Sequence, residues 1–202
     1  MKRKVVFIDW DGTLCFSRFW ETLSAKNPTF SQVVADFFVT EKEMIKNWMR
    51  GKHTSEEINK LLSERANLPE KEVWESFVSD CQKMKVDNKT IEIIQKLRKK
   101  HHAVLITGNM DCFSRFTVPS LKLDKLFDHV INSYDTGMLK TDDNGKQFID
   151  SLTSFNSKIS DAYLIEDSAN TCEVFSRLGG NALKVNQKSD TLTHLNKFLE
   201  EL

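Results

Sequence analysis

The chain has 202 residues, of which 40% are hydrophobic and 29% are charged, a size that suits one domain or a core domain carrying an insertion. Lys and Arg together number 29, as do Asp and Glu, so the net charge is zero. This balance provides no electrostatic footprint for nucleic acid or for an anionic membrane, and we expect neither partner. Small phosphorylated molecules stay open as ligands, because they need only a local positive site.

The start of the chain and its cysteines indicate in which cellular compartment the protein is expected. The basic residues 1–4 are followed by only four apolar residues, Val5 to Ile8, which is too short for a signal peptide, and no stretch approaches a membrane span. The four cysteines are dispersed without a C-x-x-C pair, so we expect free thiols. These features favour a cytoplasmic protein. They leave its oligomeric state open.

Short apolar runs typical of buried strands recur along the chain. They span residues 5–8, 103–106, 129–132, 162–165 and 182–185. Stripes of apolar residues at helical spacing separate the last four runs. Strands that alternate with helices predict an α/β fold, in which a parallel sheet is covered by helices on both faces.

A long helical segment separates the first two predicted strands. Residues 9–102 contain several helical stripes and no convincing strand, whereas a crossover helix needs only about a dozen residues. We therefore predict an all-helical subdomain at residues 16–85, inserted into a core formed by residues 1–15 and 86–202.

The predicted helical subdomain contains two capping boxes and a basic turn. Thr40 with Glu43 and Thr54 with Glu57 have the spacing at which two side chains satisfy each other's backbone N–H groups at a helix start. The basic turn, residues 50–53, lies between two helical stripes. It could point at the active site and bind a second anionic group, or it could be an ordinary glycine-containing turn between helices.

Two carboxylates follow the first predicted strand directly. Asp9 and Asp11 stand at its carboxyl end, and Gly12 allows the backbone to turn sharply there. In an open α/β sheet, ligands bind in the crevice beyond the carboxyl ends of the strands. The paired acids therefore predict a metal site, a nucleophile or an acid–base pair.

Polar groups also follow later strands. Thr107, Gly108 and Asn109 follow the second strand, Glu166 and Asp167 follow the fourth, and Lys140 lies in a loop between the third and the fourth. Each has an ordinary structural explanation, as a helix cap or a surface charge. Together they place a hydroxyl, an amine and an acidic pair on the same sheet edge as Asp9, which predicts a reaction site.

In this order, the four groups around Asp9–Asp11, Thr107, Lys140 and Glu166–Asp167 resemble the motifs of the haloacid dehalogenase superfamily, whose members are mostly phosphatases. The helical insertion at residues 16–85 resembles the cap of its first cap class, subfamily I, where we expect substrate choice to lie. The resemblance covers nearly the whole chain. It implies a Rossmann-like parallel sheet with strand order 5-4-1-2-3.

The resemblance further implies a Mg²⁺-dependent hydrolase of small phosphorylated metabolites. It assigns the metal to Asp9, the backbone carbonyl of Asp11 and Asp167. Hard oxygen ligands without a His/Cys cluster favour Mg²⁺ over Zn²⁺.

The same resemblance assigns catalytic roles. Asp9 is the expected nucleophile, which forms an aspartyl-phosphate. Asp11 is expected to protonate the leaving alcohol and then to deprotonate the attacking water. Lys140 adds positive charge beside the carboxylates, and Thr107 donates a hydrogen bond to a phosphoryl oxygen. The expected substrate-binding residues are Thr107, Gly108, Asn109 and Lys140.

Some positions depart from the family pattern or have more than one interpretation. Trp10 stands where the family usually has a smaller apolar residue or Phe, and we expect its ring to wall the site. Glu166 could bind the metal through water or orient Lys140. Ser168 and Asn170 are further candidate ligands in the loop after the fourth strand.

Three alternatives to a phosphatase share this fold. Dehalogenation uses the same nucleophile, but in the family pattern it needs no metal and no acid at the place of Asp11, so Asp11 and the acidic pair Glu166–Asp167 argue against it. A phosphomutase would pass the phosphoryl group from Asp9 to a sugar hydroxyl instead of water. A non-catalytic binding protein with this fold is the third alternative, although both Asp9 and Asp11 are present.

Overall fold

A five-stranded parallel sheet forms the centre of the computed structural model, which describes residues 3–201. Its order is β3-β2-β1-β4-β5, which is the predicted order read from the opposite edge. The strands are β1 (Val5–Ile8), β2 (His102–Thr107), β3 (His129–Asn132), β4 (Ala162–Glu166) and β5 (Asn181–Lys184). The predicted strands are thus confirmed, with shifts of one residue at some ends. Residues 1, 2 and 202 lie outside the described residues.

Helices connect and cover the strands. They are α1 (Glu21–Lys26), α2 (Pro28–Thr40), α3 (Lys42–Met49), α4 (Ser55–Ala66), α5 (Glu70–Gln82), α6 (Asn88–Lys100), α7 (Val118–Leu121), α8 (Leu123–Leu126), α9 (Ser133–Thr136), α10 (Lys146–Thr153), α11 (Ala169–Arg177) and α12 (Lys188–Glu201). Helices α1 to α5 all lie between β1 and α6. The boundaries proposed for the cap, 16–85, stay a prediction.

Both faces of the sheet are buried beneath helices. On one face, Val6 and Ile8 share a core with side chains of α6 and α12. On the other, the Phe7 ring lies 5.4 Å from Phe148 of α10 and 5.9 Å from Phe175 of α11, centroid to centroid. Because both faces are covered, β1 is apolar at every position instead of alternating.

The helices α1 to α5 have an aromatic core of their own. The Trp20 ring lies 4.8 Å from that of Phe77, and its Nε1 donates a hydrogen bond to Asn59 at 2.8 Å. Met110 and Cys112, which follow β2, belong to the same cluster. The inserted helices therefore share a packed interior with the sheet domain.

One of the two predicted capping boxes is present. Thr54 accepts a hydrogen bond from the Glu57 N–H at 3.3 Å, and Glu57 accepts one from the Thr54 N–H at 2.8 Å. The predicted box at Thr40 is wrong. Helix α2 continues through Thr40, whose hydroxyl donates to the Asp36 carbonyl at 2.8 Å. Glu41 therefore becomes the residue before α3, and it forms no side-chain cap.

The expectations about thiols and membrane segments can be compared with the structure. All four cysteines are free and buried, as predicted. Within residues 3–201, no helix combines the length and apolar character that crossing a membrane requires.

Candidate active site

Three neighbouring strands bring polar side chains to one edge of the sheet. Asp9 comes directly after β1, and its N–H continues the sheet by donating to Ile165 at 3.0 Å. Thr107 ends β2 and Glu166 ends β4, the two strands that flank β1. The site therefore lies at the carboxyl edge of the sheet centre, where the sequence predicts it.

The loop after Asp9 coils tightly and requires glycine. The Trp10 carbonyl accepts hydrogen bonds from the N–H groups of Leu14 and Cys15, both at 2.9 Å. Gly12 has φ +71°, and a Cβ atom there would lie 2.3 Å from Asp167 Oδ2. Glycine thus provides both the left-handed backbone and the space for Asp167.

The expectation that the Trp10 ring walls the site is wrong. Trp10 is fully buried in the core, and its ring packs 5.2 Å from that of Phe113. It is not among the residues that line the cavity above Asp9. The coil of the loop turns this side chain into the protein interior, so its size serves packing.

Lys140 lies between two carboxylates. Its Nζ is 2.6 Å from Asp9 Oδ1 and 2.5 Å from Glu166 Oε2. Burial by itself would lower the pKa of Lys140, but the charges of Asp9 and Glu166 outweigh burial and hold that pKa above its usual value. Glu166 also accepts a hydrogen bond from the Ser168 N–H at 3.0 Å. Of the two interpretations of Glu166, the structure shows the contact with Lys140.

An acidic cluster suited to a metal ion surrounds this pair. One carboxylate oxygen from each of Asp9, Glu166 and Asp167 lies within 4.8 Å of the others. Three carboxylates around one ammonium leave an excess of negative charge, which a divalent cation would balance. All three donors are hard oxygens, which fits Mg²⁺. The backbone carbonyl of Asp11 as a further ligand stays a prediction.

Asp11 is held beside the cluster by Asn109. The Asn109 side-chain amide donates to Asp11 Oδ2 at 2.9 Å, and its backbone N–H donates to Ser133 Oγ at 3.0 Å. Desolvation, reinforced by the charge of Asp9, raises the pKa of Asp11 to about 7. Asn109 is not among the residues that line the cavity above Asp9, and its observed contact is with Asp11, so the direct substrate contact that the sequence predicts stays a prediction.

Thr107 presents an unpaired hydroxyl. The residue is buried, and its Oγ1 has no hydrogen-bond partner within the described part of the chain. A buried polar group without a partner costs about 1–3 kcal/mol. This hydroxyl lies beside the cavity that begins at Asp9, so it is available to a ligand there. Gly108 lines the same cavity.

A cavity of about 1040 Å³ rises from these groups. Asp9, Asp11 and Lys140 lie at its base, and side chains from α1, α2 and α3 form its opposite wall. Ser168 and Asn170, predicted as candidate ligands, also line it. Ser168 has a structural role as well, since its hydroxyl caps α11 by accepting from Thr171 N–H at 3.3 Å.

The basic turn at residues 50–53 connects α3 to α4. Arg50 donates two hydrogen bonds to Asp142, at 2.8 and 2.7 Å. Asp142 also accepts one from Leu139 N–H at 2.9 Å, next to Lys140. Arg50 does not line the cavity. Of the two interpretations, a turn between helices is what the structure shows.

Sequence reasoning missed Asp111. Its Oδ1 accepts hydrogen bonds from Trp48 Nε1 at 2.8 Å and from Ser55 Oγ at 2.6 Å, and its Oδ2 accepts one from Arg115 at 2.7 Å. These bonds fix α3 and α4 on the segment that follows β2. The spacing of Asp111 and Arg115, four residues apart in a helical segment, was the available signal.

Comparison of the sequence with known families matches residues 3–179 to the haloacid dehalogenase-like hydrolases. Residues 3–179 include every predicted site residue. No curated protein sequence matches the chain.

Similar solved structures agree in fold. A HAD family enzyme from Bacteroides thetaiotaomicron, in complex with magnesium and inorganic phosphate, aligns with TM-score 0.67 and 17% identity over 90% of this chain and 93% of its own. A predicted HAD-like family hydrolase from Porphyromonas gingivalis gives 0.72 and 16% over the whole of both chains. A 2-haloacid dehalogenase from Pseudomonas syringae gives 0.62 and 17%, over 98% of this chain and 99% of its own.

These structural likenesses show the fold, while the family match spans most of the sequence and includes the residues gathered around Asp9. The chain belongs to the haloacid dehalogenase-like hydrolases.

Proposed function

We propose that this chain is a Mg²⁺-dependent phosphatase of a small phosphorylated metabolite. The observation that carries the proposal is the acidic cluster of Asp9, Glu166 and Asp167 around the buried ammonium of Lys140. The unpaired Thr107 hydroxyl and the Asp11 carboxyl complete the arrangement at the base of one cavity.

The charge of the substrate explains why such a cluster is needed. A phosphate monoester dianion repels an attacking carboxylate. Asp9 and Asp167, with Glu166 beside them, would hold Mg²⁺, which when bound supplies the positive charge that offsets this repulsion. Thr107 Oγ1 would donate a hydrogen bond to a phosphoryl oxygen and so stabilise the charge that develops there.

The proposed reaction has two steps at phosphorus. First, a carboxylate oxygen of Asp9 attacks phosphorus, the bond to the alcohol oxygen breaks, and Asp11 gives its proton to the departing alcohol. Second, Asp11 takes a proton from water as that water attacks the aspartyl-phosphate. The bond from phosphorus to Asp9 then breaks and inorganic phosphate leaves.

The position of Asp11 suits this double use. Asn109 fixes one of its oxygens, and a pKa near 7 allows it to hold the proton in one step and to lack it in the next.

Dehalogenation is the activity named for several structural neighbours, among them the Pseudomonas syringae enzyme. At 14–17% sequence identity, these likenesses show a shared fold and not a shared reaction. When halide is displaced from a haloacid, no alcohol leaves that would need a proton donor. There is also no phosphate dianion whose charge a cation would have to offset. Asp11 and the cluster around Asp167 therefore favour phosphate esters.

The test is phosphate release from p-nitrophenyl phosphate and a panel of metabolite monoesters, with Mg²⁺ and with EDTA. A panel of 2-haloacids, assayed for halide release, runs beside it. We expect metal-dependent phosphate release that Asp9→Asn abolishes, and no halide release. Halide release without phosphate release would refute the proposal. Transfer of the phosphoryl group to an added sugar faster than to water would identify a mutase instead.

A further inference from the structure

The cavity above the proposed catalytic groups is much larger than a phosphate group requires. Its volume of about 1040 Å³ is at the upper end of the range for pockets that hold whole small molecules, roughly 300–1,000 Å³. The catalytic groups occupy only its base, so the remaining space is available to the alcohol part of a phosphate ester.

The wall opposite the catalytic groups is apolar. Val34 and Phe38 of α2 and Ile45 and Met49 of α3 all line the cavity. Phe19, in the segment before α1, also lines the cavity. These residues form what we call the apolar wall.

Phe38 is an exposed aromatic ring held in a fixed position. The residue is 40% exposed. Its ring packs edge-on against Phe37 at 5.5 Å and lies 6.4 Å from Trp20, a fully buried residue. Leaving a large ring at the cavity surface is unfavourable unless something covers it, and a rigid ring can contact a ligand with little loss of conformational entropy.

The charges along the cavity argue against a second anionic group. Among the lining residues that belong to the inserted helices and the segment leading to them, Arg18 and Glu21 are the charged ones. Arg18 belongs to the segment that joins β1 to α1 and not to α2 or α3, and its positive charge opposes the rise in the pKa of Asp11. Arg50, the other cation expected to face a ligand, is paired with Asp142.

We infer that the alcohol part of the substrate is uncharged, bulky and largely apolar, and that it packs on the apolar wall while its phosphate lies at Asp9. This inference rests on the proposed phosphatase function and names its substrate class. Serine hydroxyls of the lining, Ser24 and Ser31, leave room for an occasional polar substituent. A polyol or a second phosphate finds no matching set of partners on the wall formed by α2 and α3.

The first test measures kcat/KM for a series of n-alkyl monophosphates from methyl to octyl with Mg²⁺. The leaving alcohols have nearly the same acidity, so differences report binding of the chain. We expect kcat/KM to rise about fourfold per added methylene until the wall is covered. Hexyl phosphate should be preferred over a hexose 6-phosphate, which has the same number of carbon atoms and a comparable primary ester.

Matched variants locate the effect. Phe38→Ala should lower kcat/KM for hexyl phosphate roughly tenfold and for methyl phosphate much less, because a methyl group has little surface to bury against the ring. Val39→Ala, at an exposed neighbouring position that does not line the cavity, should change neither. Ile45→Lys should reduce hexyl phosphate turnover and raise the relative rate for an α,ω-alkane bisphosphate.

The outcomes separate the two proposals. If phosphate is released but kcat/KM is the same for all chain lengths, or the hexose ester is preferred, the inference about the alcohol is wrong and the phosphatase stands. If no ester releases phosphate, including methyl and p-nitrophenyl phosphate, the proposed function itself fails.

Discussion

The ammonium of Lys140 is buried between the carboxylates of Asp9 and Glu166. Removing it leaves those two carboxylates without the positive charge that stabilises them. Lys140→Met would leave Asp9 and Glu166 as buried like charges. We expect a loss of about 3–5 kcal/mol in the free energy of unfolding, measured by urea denaturation in EDTA. The double variant Lys140→Met/Glu166→Gln should recover part of the loss. Unchanged stability in the single variant would contradict the buried ion pair.

Asp11 is expected to act on the leaving group. Asp11→Asn cannot donate a proton, so cleavage of an alkyl phosphate should slow by roughly 10²–10⁴-fold. Cleavage of p-nitrophenyl phosphate should slow much less in its first step, because p-nitrophenolate leaves without a proton. The measurement is a single-turnover comparison of the two esters. An equal decrease for both would remove Asp11 from the role of general acid.

His101 makes the stability depend on pH. It is buried directly after α6, and burial with the nearby charges of Lys4, Lys100 and Arg3 lowers its pKa. Because the folded protein binds the proton less well than the unfolded chain, stability is full above the ordinary His pKa of about 6.5 and falls as pH drops below it.

The His101→Gln variant tests this linkage. Its urea midpoint should decrease less between pH 7.5 and pH 5 than that of the unsubstituted protein. The same decrease in both proteins would show that other groups carry the pH dependence.

At the scale of elements, an ion pair connects the turn between α3 and α4 to the loop that carries Lys140. Arg50 and Asp142 are partly exposed, so the pair should contribute little to stability, about 0–1 kcal/mol. Its expected effect is on geometry, because Asp142 also holds Leu139 N–H. Arg50→Ala should lower kcat/KM roughly tenfold with little change in the unfolding midpoint.

Arg65→Ala is the matched control for Arg50. Arg65 pairs with Glu41 at 2.7 Å, and both residues belong to the inserted helical segment, so its loss should leave kcat/KM unchanged. In a double-mutant cycle, Arg50→Ala and Asp142→Ala should be non-additive in kcat/KM. Additive effects would show that the two side chains act separately.

The elements differ in how well the sequence predicts them. β1 and its neighbours are short apolar runs followed by polar groups, so their place in a parallel sheet and the meeting of Asp9 with Glu166 follow from local patterns. The pairing of Arg50 with Asp142 could not be predicted from local patterns, because Asp142 is distant in the sequence and no periodic pattern links the two residues.

Prediction of helix ends is also limited, because the same short motif can either cap a helix or lie inside one. Thr40 and Thr54 have the same capping-box spacing, but α2 continues through Thr40, whose hydroxyl donates to the Asp36 carbonyl of its own helix instead of capping α3. Only the turn before Thr54 leaves the extended backbone that a cap requires. The orientation of Trp10 likewise depends on how the loop coils, and residue type does not reveal that.

At the scale of the whole molecule, the inserted helices and the sheet domain are packed together. Met110 and Cys112, which follow β2, lie in the same cluster as Trp48 and Phe77, and Asp111 binds Trp48 Nε1. We therefore expect one cooperative unfolding transition. Tryptophan fluorescence and far-UV circular dichroism should give the same urea midpoint. An earlier fluorescence transition would show that the inserted segment unfolds separately, since three of the four tryptophans, Trp20, Trp48 and Trp74, belong to it and the fourth, Trp10, lies in the core beside the sheet.

The covalent intermediate on Asp9 is the central claim, and the most direct measurement is mass spectrometry of acid-quenched protein mixed with p-nitrophenyl phosphate and Mg²⁺. In Asp11→Asn, the second step should slow because water loses its base, so the phosphoryl group should accumulate on the protein. We expect one phosphoryl group, located on Asp9, and none in Asp9→Asn. Burst release of p-nitrophenolate with no phosphoryl group on Asp9, or with one on another residue, would contradict the nucleophile assignment.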